Sequence, residues 1–300
     1  MKKTPVAPEG PALSELVQGY WRMGEWNRST QAHLTFLQQH LELGITTVDH
    51  AHVYGADPSC EALFGEVMKL QPGLRQKLEI VSKCGIELVD HADARVNHYD
   101  ASPSAIRTSV ETSLQRLGTD YLDVLLIHRP DLLLDADAVA ETFTELHQAG
   151  KVRHFGVSNF TNTQFALLQS RLDAPLVTNQ VELNPVNLDI VNNGTLEFLQ
   201  QHRVRPMAWS CLAGGHIFGD QSMQMTRLRH TLEDIANELK VDAIDQVIYA
   251  WVRRLPSKPL VIIGSGDITR VQRAVNALNL SLSQEQWYRI WVASMGHDVP

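Results

Sequence analysis

Eight short runs rich in Val, Ile, Leu and Thr recur along the chain, at 16–21, 45–49, 78–83, 122–128, 152–158, 176–183, 205–210 and 260–265. Each is too short for a helix and reads as a buried strand. Amphipathic stretches separate them. Ser29 or Thr30 caps QAHLTFLQQHLEL, which Gly44 ends. PSAIRTSVETSLQRLG has Pro103 for a first turn and Gly118 for a stop. DADAVAETFTELHQAG and TNTQFALLQSRL follow the same grammar, and further helices are expected near 60–70, 195–202, 226–239, 243–254 and 268–279. Strict strand–helix alternation means parallel strands joined by helical crossovers. Eight such units in 300 residues point to an α/β fold, a closed (β/α)8 TIM barrel. An open doubly wound sheet needs a G-x-G-x-x-G turn after the first strand, and GYWRMGEWN does not match it. The expected organisation is one domain over 1–300. A short N-terminal hairpin forms around the Pro/Gly-rich 5–11, and 84–102 and 211–225 are long βα loops.

Composition narrows the function classes. A net charge of −8 with dispersed Lys and Arg leaves no basic stripe for nucleic acid. Three cysteines without a C-x-x-C make a disulfide framework or a zinc ribbon improbable. The start MKKTPVAPEGPALSEL lacks the apolar stretch of a signal peptide, and no apolar run reaches the ~18 residues of a membrane span. A reducing cytoplasm, no membrane and no metal are the expectations.

Barrels of this kind carry their chemistry at the C-terminal ends of the strands. Reading those ends in order gives Asp49 with Tyr54 just beyond, Lys83, His128, Ser158-Asn159, Gln180, Trp209-Ser210 and Ser265. Charged groups on apolar strands are costly unless paired, and here they pair naturally: Asp49 with Lys83, and Lys83 with the Tyr54 hydroxyl. An adjacent ammonium is expected to lower the phenol's pKa. With His128 as a second hydrogen-bond partner, the set protonates a carbonyl oxygen while hydride arrives at carbon.

The motifs GITTVDHAHVYG, VSKCG, LLIHRP, GVSNF, TNQVELNP, RPMAWSCLAGG and IIGSGDITR come in the order and approximate spacing of the aldo-keto reductases. The chain resembles that family from Gly19 to about Arg273, and within it the bacterial YdhF-like reductases. The resemblance implies a catalytic tetrad of Asp49, Tyr54, Lys83 and His128 and the cofactor NADPH. It also implies nicotinamide-carboxamide contacts from Ser158, Asn159 and Gln180, and stacking by Trp209. Ser210, Cys211 and Leu212 are expected along the pyrophosphate, and Ser265 and Arg270 at the 2′-phosphate. Gly19, Tyr20, Trp21 and Asp49 complete the expected cofactor lining. Trp21, Trp26 and His50, with Tyr54 and His128, are expected to meet a small carbonyl substrate. Four positions depart from the family: His50 stands in its Asp-Thr-Ala, Gly264 replaces a frequent phosphate-binding lysine, and Arg273-Ala274 replace a Glu-Asn pair near adenine.

Three other readings compete. His50-Ala51-His52 could begin a metal site, with Lys83, His128 and Asp267 drafted as further ligands, but Ser158, Asn159 and Gln180 are poor ligands. Lys83 could form a Schiff base, which an adjacent Asp49 opposes by keeping it protonated. A non-catalytic, dinucleotide-binding regulatory protein is the third.

Overall fold

A computed structural model describes residues 1–89 and 94–300; the central part of the long stretch 84–102 falls outside them. Eight parallel strands close into a barrel in sequence order: β1 Leu16–Gly19, β2 Thr47–Asp49, β3 Glu79–Cys84, β4 Leu122–Ile127, β5 Val152–Ser158, β6 Asn179–Glu182, β7 Met207–Trp209 and β8 Leu260–Ile263. The ring closes where Val261 of β8 pairs with Leu16 of β1. Seven of these strands lie within the runs anticipated from β-branched content, and β3 extends one residue past its run, to Cys84. Where a run overshoots at its end, as after β1, β4, β7 and β8, its last residues turn out of the ladder toward the upper rim.

The helices start where short polar side chains can satisfy free backbone N–H groups. Ser29 caps Thr30–Glu42, and Ser59 caps Cys60–Lys69. Ser102 caps Pro103–Leu117, placing Pro103 in its first turn, and Gly118 ends that helix at φ 64°. Asp135 caps Ala136–Gln148, so the acidic run there is a helix start. The helix Gln284–Met295 was not foreseen, although Ser283 and Gln286 form a capping box. It docks through Trp287, which stacks on Trp251 at 5.0 Å while each indole N–H donates to the other's backbone carbonyl at 3.2 Å. Among the described residues no helix is long and apolar enough to cross a membrane.

The two barrel ends differ. The hairpin Lys3–Pro5 with Ala12–Ser14 covers the N-terminal end, where Ser14 N–H donates to Thr47 Oγ1 at 2.9 Å. The C-terminal end is left to the βα segments. The 84–102 stretch carries a two-stranded ladder, Ile86–Glu87 with His98–Tyr99. Residues 211–225 carry the short helix His216–Gly219.

Two close packings define the wall behind β1–β3. Helices Cys60–Lys69 and Pro103–Leu117 cross at Gly65, where a Cβ would lie 2.0 Å from the Arg116 carbonyl oxygen. Deeper in, fully buried His50 stacks on Tyr20 at 5.1 Å, and the Tyr20 hydroxyl meets His40 Nε2 at 2.9 Å. Burial pulls His40 down to about 4 and, with repulsion from Lys83, His50 down to about 3.

Gly65→Ala is expected to cost roughly 1–3 kcal/mol through overpacking, read as a lower urea midpoint at unchanged slope. The histidines give a pH dependence. In the unfolded chain both return to about 6.5, so acid protonates the unfolded state first. Stability is therefore lost as pH falls from 6.5 toward the folded values of about 4 and about 3. Between pH 7 and 5 each contributes a loss of roughly 2 kcal/mol. Urea titrations at the two pH values should show a correspondingly smaller loss for His50→Phe than for wild type.

Candidate active site

Lys83 is wholly buried near the end of β3, and all three of its ammonium protons have acceptors. Its Nζ donates to Asp49 Oδ2 at 2.7 Å, to the His50 carbonyl at 2.8 Å and to Tyr54 Oη at 3.1 Å. The second carboxylate oxygen of Asp49 accepts from Gln180 Nε2 at 2.8 Å, across the barrel mouth. Burial pulls the Lys83 pKa down, but Asp49 and Tyr54 more than restore it, leaving it above the ordinary lysine value. A lysine held so firmly as ammonium does not serve as a Schiff-base nucleophile.

The backbone of Lys83 is fixed from outside the barrel. His52 donates from its backbone N–H at 3.2 Å and from Nδ1 at 2.9 Å to the Lys83 carbonyl, and Arg116 Nη1 holds the His52 carbonyl at 2.8 Å. Beneath it, Ser82 Oγ donates to Glu61 Oε1 at 2.6 Å.

Tyr54 reaches in from the β2 turn, its ring edge-on to His128 with centroids 5.7 Å apart. With Lys83 donating to its oxygen, the phenol keeps its own O–H for the cavity. Burial raises the Tyr54 pKa and outweighs the lowering by Lys83, so it stands above 10.0. This corrects the expectation of a lowered pKa: desolvation of a nearly buried phenolate exceeds one ammonium's attraction. His128 is held well below 6.5 by burial, then by Lys83, Arg129 and His52. It is a neutral imidazole at neutral pH.

Beside this group the end of β5 ties three strands together. Asn159 adopts φ 60°, a left-handed conformation that asparagine tolerates. Its Nδ2 donates to Ser158 Oγ at 2.8 Å and to the His128 carbonyl at 3.3 Å, and its Oδ1 accepts from Trp209 Nε1 at 3.2 Å. Ser158 Oγ donates to the Gln180 carbonyl at 2.9 Å. The Trp209 ring also carries Arg129, whose Cζ lies 5.6 Å from its centroid.

These groups share a cavity of about 860 Å³. Gly19, Trp21, Asp49, Tyr54, His128, Ser158, Asn159, Gln180, Trp209, Ser210, Cys211, Leu212, Ser265 and Arg270 all line it. Lys83 stands immediately behind. Tyr20, Trp26 and His50, expected here from sequence, do not line it. Side chains alternate along extended chain: Gly19 and Asp49 face the mouth, so Tyr20 and His50 turn into the layer behind it. Trp26 packs on Gly266, where a Cβ would fall 2.6 Å from the indole. His50 and His52 have separate partners, and no group of three His, Cys, Asp or Glu side chains is arranged around a metal among the described residues. Cys84 and Cys211 are buried thiols pushed up to about 12 by burial.

The sequence reading missed several lining groups. Arg22, Arg129, Ile86, Leu88 and Phe218 line the cavity, as do Asp245 and Tyr249; Arg273, noted from sequence only as a departure from the family, lines it too. Asp245 and Tyr249 are i and i+4 on the helix Ile244–Arg253, an apolar face that reads simply as core. A carboxylate on that face was the available signal.

The sequence model of the Aldo/keto reductase family matches residues 15–293. The chain is 55% identical to oxidoreductase YdhF of Escherichia coli K12 over 300 residues, 100% of both chains. It is 41% identical to a 6-dehydroglucose reductase of Agrobacterium fabrum over 291 residues, 96% of each. An aldo/keto reductase from Klebsiella pneumoniae, solved in complex with NADP and acetate, superposes with a TM-score of 0.77 at 29% identity, over 97% of this chain and 94% of that one. The chain belongs to the aldo/keto reductase family and is an NAD(P)H-dependent oxidoreductase.

Proposed function

We propose that the chain reduces an aldehyde or ketone to the alcohol with NADPH, Tyr54 acting as general acid and residues 1–300 working as one barrel domain. The observation that carries this reading is the Lys83 ammonium shared between Asp49 and Tyr54 at the cavity wall. The cavity's donors fit a nicotinamide dinucleotide. Ser158, Asn159, Gln180 and Trp209 line it together with Tyr54, and the guanidiniums of Arg270 and Arg273 line it as well.

Bound NADPH supplies hydride to the carbonyl carbon. The protein's own part is the proton. As negative charge grows on the substrate oxygen, Tyr54 donates its O–H to it. Lys83 already touches the phenol oxygen and stabilises the phenolate left behind, and Asp49 keeps Lys83 in place. His128, neutral at working pH, offers a hydrogen bond to the same oxygen without competing as an acid. General acid catalysis of this kind contributes about 10²–10⁴-fold. The relative named for 6-dehydroglucose supports an aldehyde of that type as the first substrate to assay.

Tyr54→Phe is the direct test. It should remove most of kcat while the NADPH dissociation constant, followed by tryptophan fluorescence, stays near wild type. A variant that keeps most of its kcat contradicts the assignment.

Arg270 governs the choice of dinucleotide. It lies in the first turn of the helix Ile268–Asn276, its side chain 65% exposed and reaching Asp267 only at 4.0 Å. A helix N-terminus with an extended guanidinium suits a phosphate. Charge-assisted hydrogen bonds are worth roughly 1.5–3 kcal/mol, about one to two decades of affinity. Gly264 opens space where a lysine could have added a second cation: a Cβ there meets nothing within 4 Å. NADPH should therefore be preferred over NADH, and Arg270→Ala should weaken NADPH by about one to two decades with far less effect on NADH. Equal changes in the two titrations contradict this role.

A further inference from the structure

His52 does not line the cavity, yet it holds the backbone of the lysine that does the electrostatic work there. The bonds between β2 and β3 run on past the end of β2. His50 N–H donates to the Val81 carbonyl at 2.8 Å, and His52 N–H donates to the Lys83 carbonyl at 3.2 Å. His52 Nδ1 reaches that same carbonyl at 2.9 Å. A carbonyl only accepts, so Nδ1 carries the proton. Tyr54 lies just beyond and closes the turn, its N–H donating to the Ala51 carbonyl at 3.0 Å. His52 therefore ties the turn that carries the phenol to the strand that carries the ammonium. From outside the barrel, Arg116 in the last turn of the helix Pro103–Leu117 donates to the His52 carbonyl at 2.8 Å. The same guanidinium stands 3.9 Å from the fully buried Glu61 carboxyl.

We infer that His52 is a positioning residue for the proton transfer: its Nδ1–H on the Lys83 carbonyl, backed by Arg116, keeps the Lys83 ammonium at the Tyr54 oxygen. The inference rests on the proposed role of Tyr54 as general acid. Of the bonds the ammonium makes, the one to Tyr54 is the longest, 3.1 Å against 2.7 Å to Asp49 and 2.8 Å to the His50 carbonyl, so it is the first to fail when the turn shifts. Hydrogen bonds weaken steeply as they stretch and bend. This one gains its full strength only as the phenol becomes a phenolate. Loss of the clamp therefore acts on the transition state, and so on kcat, and leaves cofactor binding alone. The ring's other nitrogen is buried without a partner among the described residues, so Nδ1 is the atom through which the side chain acts. Asparagine also branches at Cγ and can place an amide N–H where Nδ1–H stood. Leucine fills similar space and donates nothing.

The test compares His52→Leu, His52→Asn and wild type in NADPH-dependent reduction of an aldehyde and ketone panel led by 4-nitrobenzaldehyde. The NADPH dissociation constant is followed alongside by tryptophan fluorescence. His52→Leu should lower kcat by about 10- to 100-fold with NADPH binding near wild type, and His52→Asn should restore most of that loss. A His52→Leu enzyme with wild-type kcat overturns the inference. So does a parallel loss of NADPH affinity, which marks a merely structural role, or a His52→Asn enzyme as impaired as His52→Leu. Should His52→Leu fail to fold, Arg116→Gln carries the test from the exposed side of the clamp: kcat should fall at constant NADPH affinity, and an unchanged kcat overturns the inference. Loss of kcat in Tyr54→Phe but not in His52→Leu leaves the proposed function standing. A wild type that reduces no member of the panel, or a Tyr54→Phe enzyme that keeps its kcat, removes both.

Discussion

Everything at the barrel mouth depends on the placement of one ammonium. Lys83 is fully buried, and its three protons go to a carboxylate, a carbonyl and a phenol contributed by the end of β2 and the turn after it. A buried charge is tolerated only when paired and hydrogen-bonded, so Asp49 is as obligatory as Lys83. The pairing fixes the β2 turn relative to β3, and that turn carries Tyr54. Gln180 extends the network to β6, and Asn159 with Ser158 ties β4, β5 and β7. The reacting groups are therefore rigid because the charge must be satisfied.

The same burial sets the protonation states. A phenol raised above its ordinary pKa keeps its proton at neutral pH, and an imidazole far below its own stays neutral. The proton is thus on Tyr54 and not on His128 before reaction. Lys83 does not ionise the phenol in the resting state; in the proposed mechanism it stabilises the charge that appears as the proton leaves. The chain as a whole is acidic, at −8, so attraction for an anionic dinucleotide is local. On the proposed reading it comes from Arg270 in a helix's first turn, beside the Arg273 guanidinium paired with Asp245.

Much of this was legible in the sequence, for definite reasons. Strand ends in a parallel barrel share one rim, so Asp49, Lys83, His128, Ser158 and Trp209 could be brought together from run boundaries alone. The capping serines and Gly118 marked helix limits through local chemistry. What strand ends do not give is the facing of residues beyond them. Tyr20 and His50 alternate away from the mouth, and Trp26 is set by a contact with the distant Gly266. Asp245 lies on a helix whose apolar period hides a polar cavity residue. The direction of the Tyr54 shift depends on how much water is excluded, which spacing does not encode.

The central claim is that the neutral phenol of Tyr54, and not an imidazolium, delivers the proton. The pH profile of carbonyl reduction at saturating NADPH tests it most directly. The rate should stay level from about pH 6 to about pH 8.5 and fall only beyond about pH 10, where an unperturbed phenol would already ionise. A rate that falls instead as pH rises through about 6 to 7, the range of an ordinary histidine, contradicts the account.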